Sequence, residues 1–106
     1  MGFLEEVIGR FGLKQLDICQ EELAELIQAI SKYKRAINED KNKVFRAREN
    51  IIEEMTDVMI MLEQMKIIFE INEDEIASCR QYKLNRLKKR IEENKSNEKI
   101  EIKAKE

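Results

Sequence analysis

The stretch "IIEEMTDVMIMLEQM", Ile51 to Met65, decides how this chain is read. It is among the most apolar runs in a sequence that is 40% charged, yet Glu53, Glu54 and Asp57 lie inside it. A helix built only to fill a core carries no carboxylates there, because burying an unpaired charge is costly. From Val58 to Leu62 the run reads "VMIML", apolar on every side. A helix that is apolar all round is buried all round. Three helices of one small subunit do not wrap it fully, so a partner subunit is expected to cover part of it.

Outward from this run, the chain reads as helices. Its 106 residues include no proline and three glycines, Gly2, Gly9 and Gly12. Beyond residue 13 nothing in the composition breaks a helix, and the apolar period is 3.6 rather than 2. "MGFLEEVIGRFG" predicts a short amphipathic turn or helix closed by Gly12. The first long helix is expected over 13–37, with Leu16, Cys19, Leu23, Leu26, Ile27, Ile30 and Tyr33 as its inner stripe. "NEDKNK", 38–43, is the interhelix loop. The second long helix is expected over 44–71, with Ile51, Met55, Val58, Leu62, Met65 and Phe69 facing inward. Asn72 is an N-cap candidate, with Glu75 three residues on as its capping-box partner. A third helix follows over 74–93, carrying Ile76, Arg80, Leu84, Leu87 and Ile91. Residues 94–106 are charged and nearly devoid of large apolar residues, and are expected to be frayed or disordered. The fold class is therefore all-α: one domain over 1–93, an antiparallel helical bundle whose modest core is completed by oligomerisation, as a homodimer or homotetramer.

Composition excludes several functions. Histidine is absent, which removes Ser-His and Cys-His catalysis, most zinc sites and the Glu-x-x-His di-iron motif. Cys19 and Cys79 are isolated and read as small hydrophobes in a reducing cytosol. No apolar run approaches the roughly 20 residues that span a bilayer. "MGFLEE" lacks the basic start and apolar core of a signal peptide, and Glu6 stands where a myristoylation signal has Ser or Thr. A cytoplasmic protein is expected. Net charge is −2, and the basic residues are matched by acidic ones along the same helices, so neither nucleic acid nor membrane is an expected partner.

The acidic residues form two similar groups: Glu21, Glu22 and Glu25 in "EELAE", and Glu53, Glu54 and Asp57 in "EEMTD". Residues three apart share a helix face. At about 100° per residue, Glu22 and Glu25 fall on one side of their apolar stripe, and Glu54 and Asp57 take the equivalent places on the second helix. A short loop makes the two helices antiparallel neighbours, which lets four carboxylates converge at the border of the core. Such a group titrates upward unless a cation sits within it. Oxygen-only ligation favours Mg²⁺, with Mn²⁺ as a substitute. A solvated acidic face is the plainer reading of either pair alone. The second pair lies within an apolar helix whose own side continues as Met61 and Ile68, which a solvated face does not do. Lys83, Arg86 and Arg90 fall on one side of the third helix, either as a solvated basic face or as a phosphate clamp. Arg46 and Asn50 share the Glu54 side of the second helix and are phosphate or sugar candidates.

These motifs resemble the ExxE…ExxD signature of the all-α NTP pyrophosphatases, the MazG-like group related to dimeric dUTPases. "KQLDICQEELAELIQAISKYKR" looks like their first helix, and "ENIIEEMTDVMIML" like their second metal-binding helix, where "EELGDVL" is the commoner wording. The resemblance covers about residues 13–90. It implies that Glu22, Glu25, Glu54 and Asp57 are magnesium ligands and that Glu21 or Glu53 orients or deprotonates the attacking water. It matches Lys83 and Arg86 to the family's phosphate-binding positions. The family reads "NxKFxRR" there and this chain reads "QYKLNRL", with Gln81 and Leu87 as departures. The implied reaction is Mg²⁺-dependent hydrolysis of a nucleoside triphosphate to the monophosphate and pyrophosphate, with water attacking the α-phosphorus. Phe11, Gln15 and Ile18 are expected to share the Glu22 side of the first helix, so Phe11 and Gln15, with Asn50, are the candidate base or sugar contacts. Two other readings stay open: a non-enzymatic oligomeric adaptor with exposed acidic pairs, and a MazG-like protein that binds nucleotide without turnover.

Overall fold

The computed structural model describes residues 2–105, which form four helices and no strand: α1 (Phe3–Phe11), α2 (Lys14–Ala36), α3 (Lys41–Ile68) and α4 (Glu73–Lys105). They fall into two units. The first holds α1 to α3 and ends at Glu70; the second begins at Ile71 and holds α4. No helix among the described residues is long and apolar enough to cross a membrane.

Local chemistry sets the boundaries. Glu5 and Glu6 occupy the first turn of α1 and Arg10 its last, complementing the helix dipole. The Gly2 N–H donates to Glu5 Oε2 at 2.9 Å. Gly12 ends α1 at φ 62°, ψ −143°, a conformation essentially confined to glycine, and its N–H donates to the Ile8 carbonyl at 2.7 Å. This junction puts Phe11 on α1, a separate helix, so Phe11 does not share a face of the first long helix with Gln15 and Ile18. Asp40 caps α3, its Oδ1 accepting from the Lys43 N–H at 2.8 Å. That cap starts α3 three residues earlier than the polar composition of 38–43 implies, because Lys41, Asn42 and Lys43 form its first turn. Glu70, at φ 51°, lies just beyond α3. The capping box at Asn72 forms as expected: its N–H donates to Glu75 Oε2 and its Oδ1 accepts from the Glu75 N–H, both at 2.9 Å.

The expected frayed tail is replaced by helix, for α4 runs unbroken to Lys105. Its end contains no proline or glycine to stop the helix, and Lys103 and Lys105 sit favourably at the negative end of the dipole. Within α4 only Leu84 is half-buried.

Helices α2 and α3 form the core of the first unit as an antiparallel hairpin. Gln15 Nε2 donates to Gln64 Oε1 at 2.8 Å near one end, and Cys19 Sγ lies 3.2 Å from Met65 Sδ one turn on. Ala36 and Ala47 line one concavity beside the loop. The seam follows a strict alternation of three and four residues. On α2 it comprises Cys19, Glu22, Leu26, Ala29, Tyr33 and Ala36; on α3, Ala47, Ile51, Glu54, Val58, Met61, Met65 and Ile68. All are buried or half-buried, and the alternation is the 3.5-residue period of coiled-coil packing. Helix α1 packs against both.

This seam corrects the expected stripes. Leu23, Ile27 and Ile30 of α2, and Met55, Leu62 and Phe69 of α3, are exposed in the chain, Ile27 by 65%. Each directly follows a seam residue, on the flank that antiparallel packing makes common to both helices, with Ile27 turned farthest from the seam. Apolar residues span both arcs of each helix, so the sequence leaves two phases open, and only the pairing of α2 with α3 chooses one. Within "VMIML", Val58 and Met61 are buried, while Met59, Ile60 and Leu62 are exposed.

Candidate metal centre

The pairing that turns the apolar flank outward carries the carboxylates inward. Glu22 takes a seam position between Cys19 and Leu26, and Glu54 one between Ile51 and Val58. Sequence reasoning placed both at the stripe's edge; both are in it. Each is half-buried, and each has one oxygen, Oε2, shielded from solvent with no hydrogen-bond partner. Buried polar atoms are ordinarily paired, and an orphaned one marks strain or a missing ligand. Glu25 lies beside the seam on the flank opposite Leu23. Carboxylate oxygens of Glu22, Glu25 and Glu54 all lie within 4.8 Å of one another.

The electrostatics follow from this geometry. Loss of water around the carboxyl group raises the Glu22 pKa first, and the charges of Glu25, Asp57 and Glu54 raise it further. Glu54 is raised in the same way, by desolvation and then by Glu25, Asp57 and Glu53. Glu25 is close enough to hydrogen-bond both, but two carboxylates hydrogen-bond only by sharing a proton. That contact favours the protonated forms and satisfies neither ionised group. Asp57 is exposed on the same flank as Glu25 and adds its charge to the group without joining the closest three. The four expected ligands therefore meet as three close carboxylates with a fourth alongside.

The donor set fits a hard divalent cation. It offers oxygen only, and two of the oxygens are desolvated and unpartnered. Glu22, Glu25 and Glu54 would hold such an ion, with Asp57 next to it.

The other expected residues are placed as follows. Glu21 and Glu53 are exposed next to the seam glutamates. The Gln15 side chain is engaged by buried Gln64, which gives it a packing role at the far end of the hairpin. Phe11 is 52% exposed at the end of α1. Asn50 is half-buried and lines a concavity near the loop, one turn from Glu54. Lys83 and Arg86 lie on α4 in the second unit, where with Arg90 they share one side of that helix. The Arg86 guanidinium sits 5.9 Å from the centre of the Tyr82 ring. Sequence reasoning missed Lys32 and Arg35, which line the concavity with Asn50. Lys32 lies seven residues after Glu25, hence on the same flank, and that heptad spacing is the signal that identifies it.

No protein-family model matches the chain, and no curated protein or solved structure matches it significantly.

Proposed function

We propose that this protein is a MazG-like, Mg²⁺-dependent nucleoside triphosphate pyrophosphohydrolase of the cytoplasm, converting an NTP or dNTP and water to the monophosphate and pyrophosphate. One observation carries the reading: Glu22 and Glu54, from two antiparallel helices, stand inside an otherwise apolar seam, each with an unpartnered oxygen, and share with Glu25 a group of carboxylate oxygens within 4.8 Å of one another. Desolvation and mutual repulsion both oppose such a placement, and a bound cation offsets both, which supports the reading. The "EELAE" and "EEMTD" motifs supply the same four residues as the family resemblance.

In this reading Glu22, Glu25, Glu54 and Asp57 hold the metal. Bound Mg²⁺ neutralises phosphate oxygens and lowers the pKa of water. Exposed Glu21 and Glu53 flank the group, where either can accept a proton from the water that attacks the α-phosphorus. Lys83 and Arg86 are the α4 candidates for the departing phosphates. A second copy of the chain covers the apolar flank of Leu23, Ile27, Ile30, Met55, Met59 and Leu62, giving a homodimer or homotetramer.

That flank also favours a second reading, an oligomeric adaptor without catalysis, since exposed apolar area of this kind marks an interface whatever the chemistry nearby. Pyrophosphate release separates the two. With Mg²⁺ and a panel of NTPs and dNTPs, the wild type is expected to turn over at least one nucleotide, and Glu54→Gln to lose 100-fold or more, about the scale of losing a principal electrostatic group. No turnover of any nucleotide by the wild type sinks the enzyme; unchanged turnover by Glu54→Gln sinks the site.

A further inference from the structure

We infer that the loop end of the α2–α3 hairpin is a polyphosphate-binding subsite, made by Lys32 and Arg35 of α2 with Arg46 and Asn50 of α3. The inference rests on the proposed hydrolase for its role, but on separate residues for its geometry.

Its form comes from the seam. At the positions nearest the loop the seam residues are Ala36 and Ala47, the smallest side chains that keep the pattern. Where larger residues fill the space elsewhere, two alanines leave a concavity of about 310 Å³. Ala36 and Ala47 line its floor, and Lys32, Arg35, Lys43 and Arg46 surround it with a single carboxylate, Glu39. Lys43 is committed to Glu39 at 3.0 Å. Lys32, Arg35 and Arg46 have no ion-pair partner among the described residues. Half-buried Asn50 adds an amide at the inner edge. Unpaired guanidinium and ammonium groups around a concave surface match an anion with several oxygens, and two arginine forks suit phosphate better than a lone carboxylate.

The position fixes the class of anion. Glu25, Asp57, Lys32 and Asn50 all flank the seam on one side, so the acidic group and the basic concavity share a face. At 1.5 Å per residue, Asn50 lies about 6 Å and Arg46 about 12 Å along α3 from Glu54. A chain of phosphates whose metal the carboxylates would hold would reach along the hairpin into the basic end. A single phosphate does not bridge the two, so the ligand class is a linear polyphosphate, such as the tail of a nucleoside triphosphate. The hairpin thereby has a phosphate site of its own, independent of α4.

The test measures anion binding without metal, which separates it from turnover. Tripolyphosphate is titrated calorimetrically into the wild type in EDTA, then into Lys32→Ala/Arg46→Ala, with Lys95→Ala/Lys99→Ala as a control that removes the same charge from α4. All four side chains are exposed, and far-UV circular dichroism checks each fold. The wild type and the α4 control are expected to bind alike, and Lys32→Ala/Arg46→Ala at least tenfold more weakly. The titration involves neither metal nor turnover, so a failed pyrophosphate-release assay leaves this result standing on its own. The proposal is overturned if the wild type does not bind, if the two double variants lose equally, or if a single-stranded oligonucleotide outcompetes tripolyphosphate at equal phosphate concentration.

Discussion

Glu54 shows how one residue couples stability to ligation. Its pKa, like that of Glu22, is raised in the fold by desolvation and by neighbouring carboxylates. A carboxyl group whose folded-state pKa exceeds its unfolded value makes the fold bind protons more tightly than the unfolded chain does. Its stabilising contribution is complete below the ordinary carboxylate range and is lost as pH rises through the raised value. The metal-free protein is therefore expected to melt at a lower temperature at pH 7 than at pH 5. Glu54→Gln should flatten that dependence and raise the neutral-pH Tm by a few degrees, because an amide can donate to Glu25 where a carboxylate only repels it. Mg²⁺ should raise the wild-type Tm at pH 7, as any ligand selective for the folded state does, and do so much less for Glu54→Gln. Thermal melts by circular dichroism over this pH range, with and without Mg²⁺, check all three outcomes. Equal Mg²⁺ shifts in the two proteins would show that the cation binds elsewhere.

At the scale of elements, caps and the seam carry the fold. Gly12 permits the turn between α1 and α2 because its φ of 62° with ψ −143° excludes a Cβ on conformational grounds, although space is open around it. Gly12→Ala is expected to destabilise by about 1–3 kcal/mol, through backbone strain rather than a clash. Asp40→Ala removes the side-chain cap of α3 and should cost about 1 kcal/mol. Urea denaturation measures both. A neutral Gly12→Ala would mean that α1 can rearrange without cost. Much of this level was legible beforehand: helix types, the antiparallel hairpin, the Gly12 stop and the Asn72 capping box can each be read from short local patterns. The phase of the stripes was not. Leu23, Ile27 and Ile30 satisfy helical spacing as well as Leu26, Ala29 and Tyr33 do, and hydrophobicity favours the former set. The seam uses the latter, burying Ala29 and Ala36 between the helices, and that choice of arc is a property of a pair of helices rather than of one.

At the scale of the molecule, the exposed apolar area sets the expectation. The flank from Leu23 to Ile30 on α2 faces the same way as Met55, Met59 and Leu62 on α3, and α4 exposes Ile76, Leu87 and Ile91 along its own stripe. Helices in proteins are stabilised mainly by a covered apolar face, and this 33-residue helix has such a face to cover. Light scattering after size exclusion is expected to give at least two chains per particle at micromolar concentration. Ile27→Glu/Leu62→Glu, which places charge on the flank while sparing the seam, should shift the particle toward monomer and lower its Tm. A monomeric wild type would remove the oligomer.

The sequence by itself determined that the chain is helical, that two acidic triplets lie on neighbouring antiparallel helices, and that those triplets offer oxygen as ligand. Those properties depend on residue type and on spacing within one helix. Only the tertiary structure decided that Glu22 and Glu54 stand inside the seam with unpartnered oxygens, that the most hydrophobic flank faces outward, and that two alanines open a basic concavity beside the loop. Each of these depends on which arc of one helix meets which arc of another. Side-chain size and backbone approach settle that match, and a single strand of letters does not contain it.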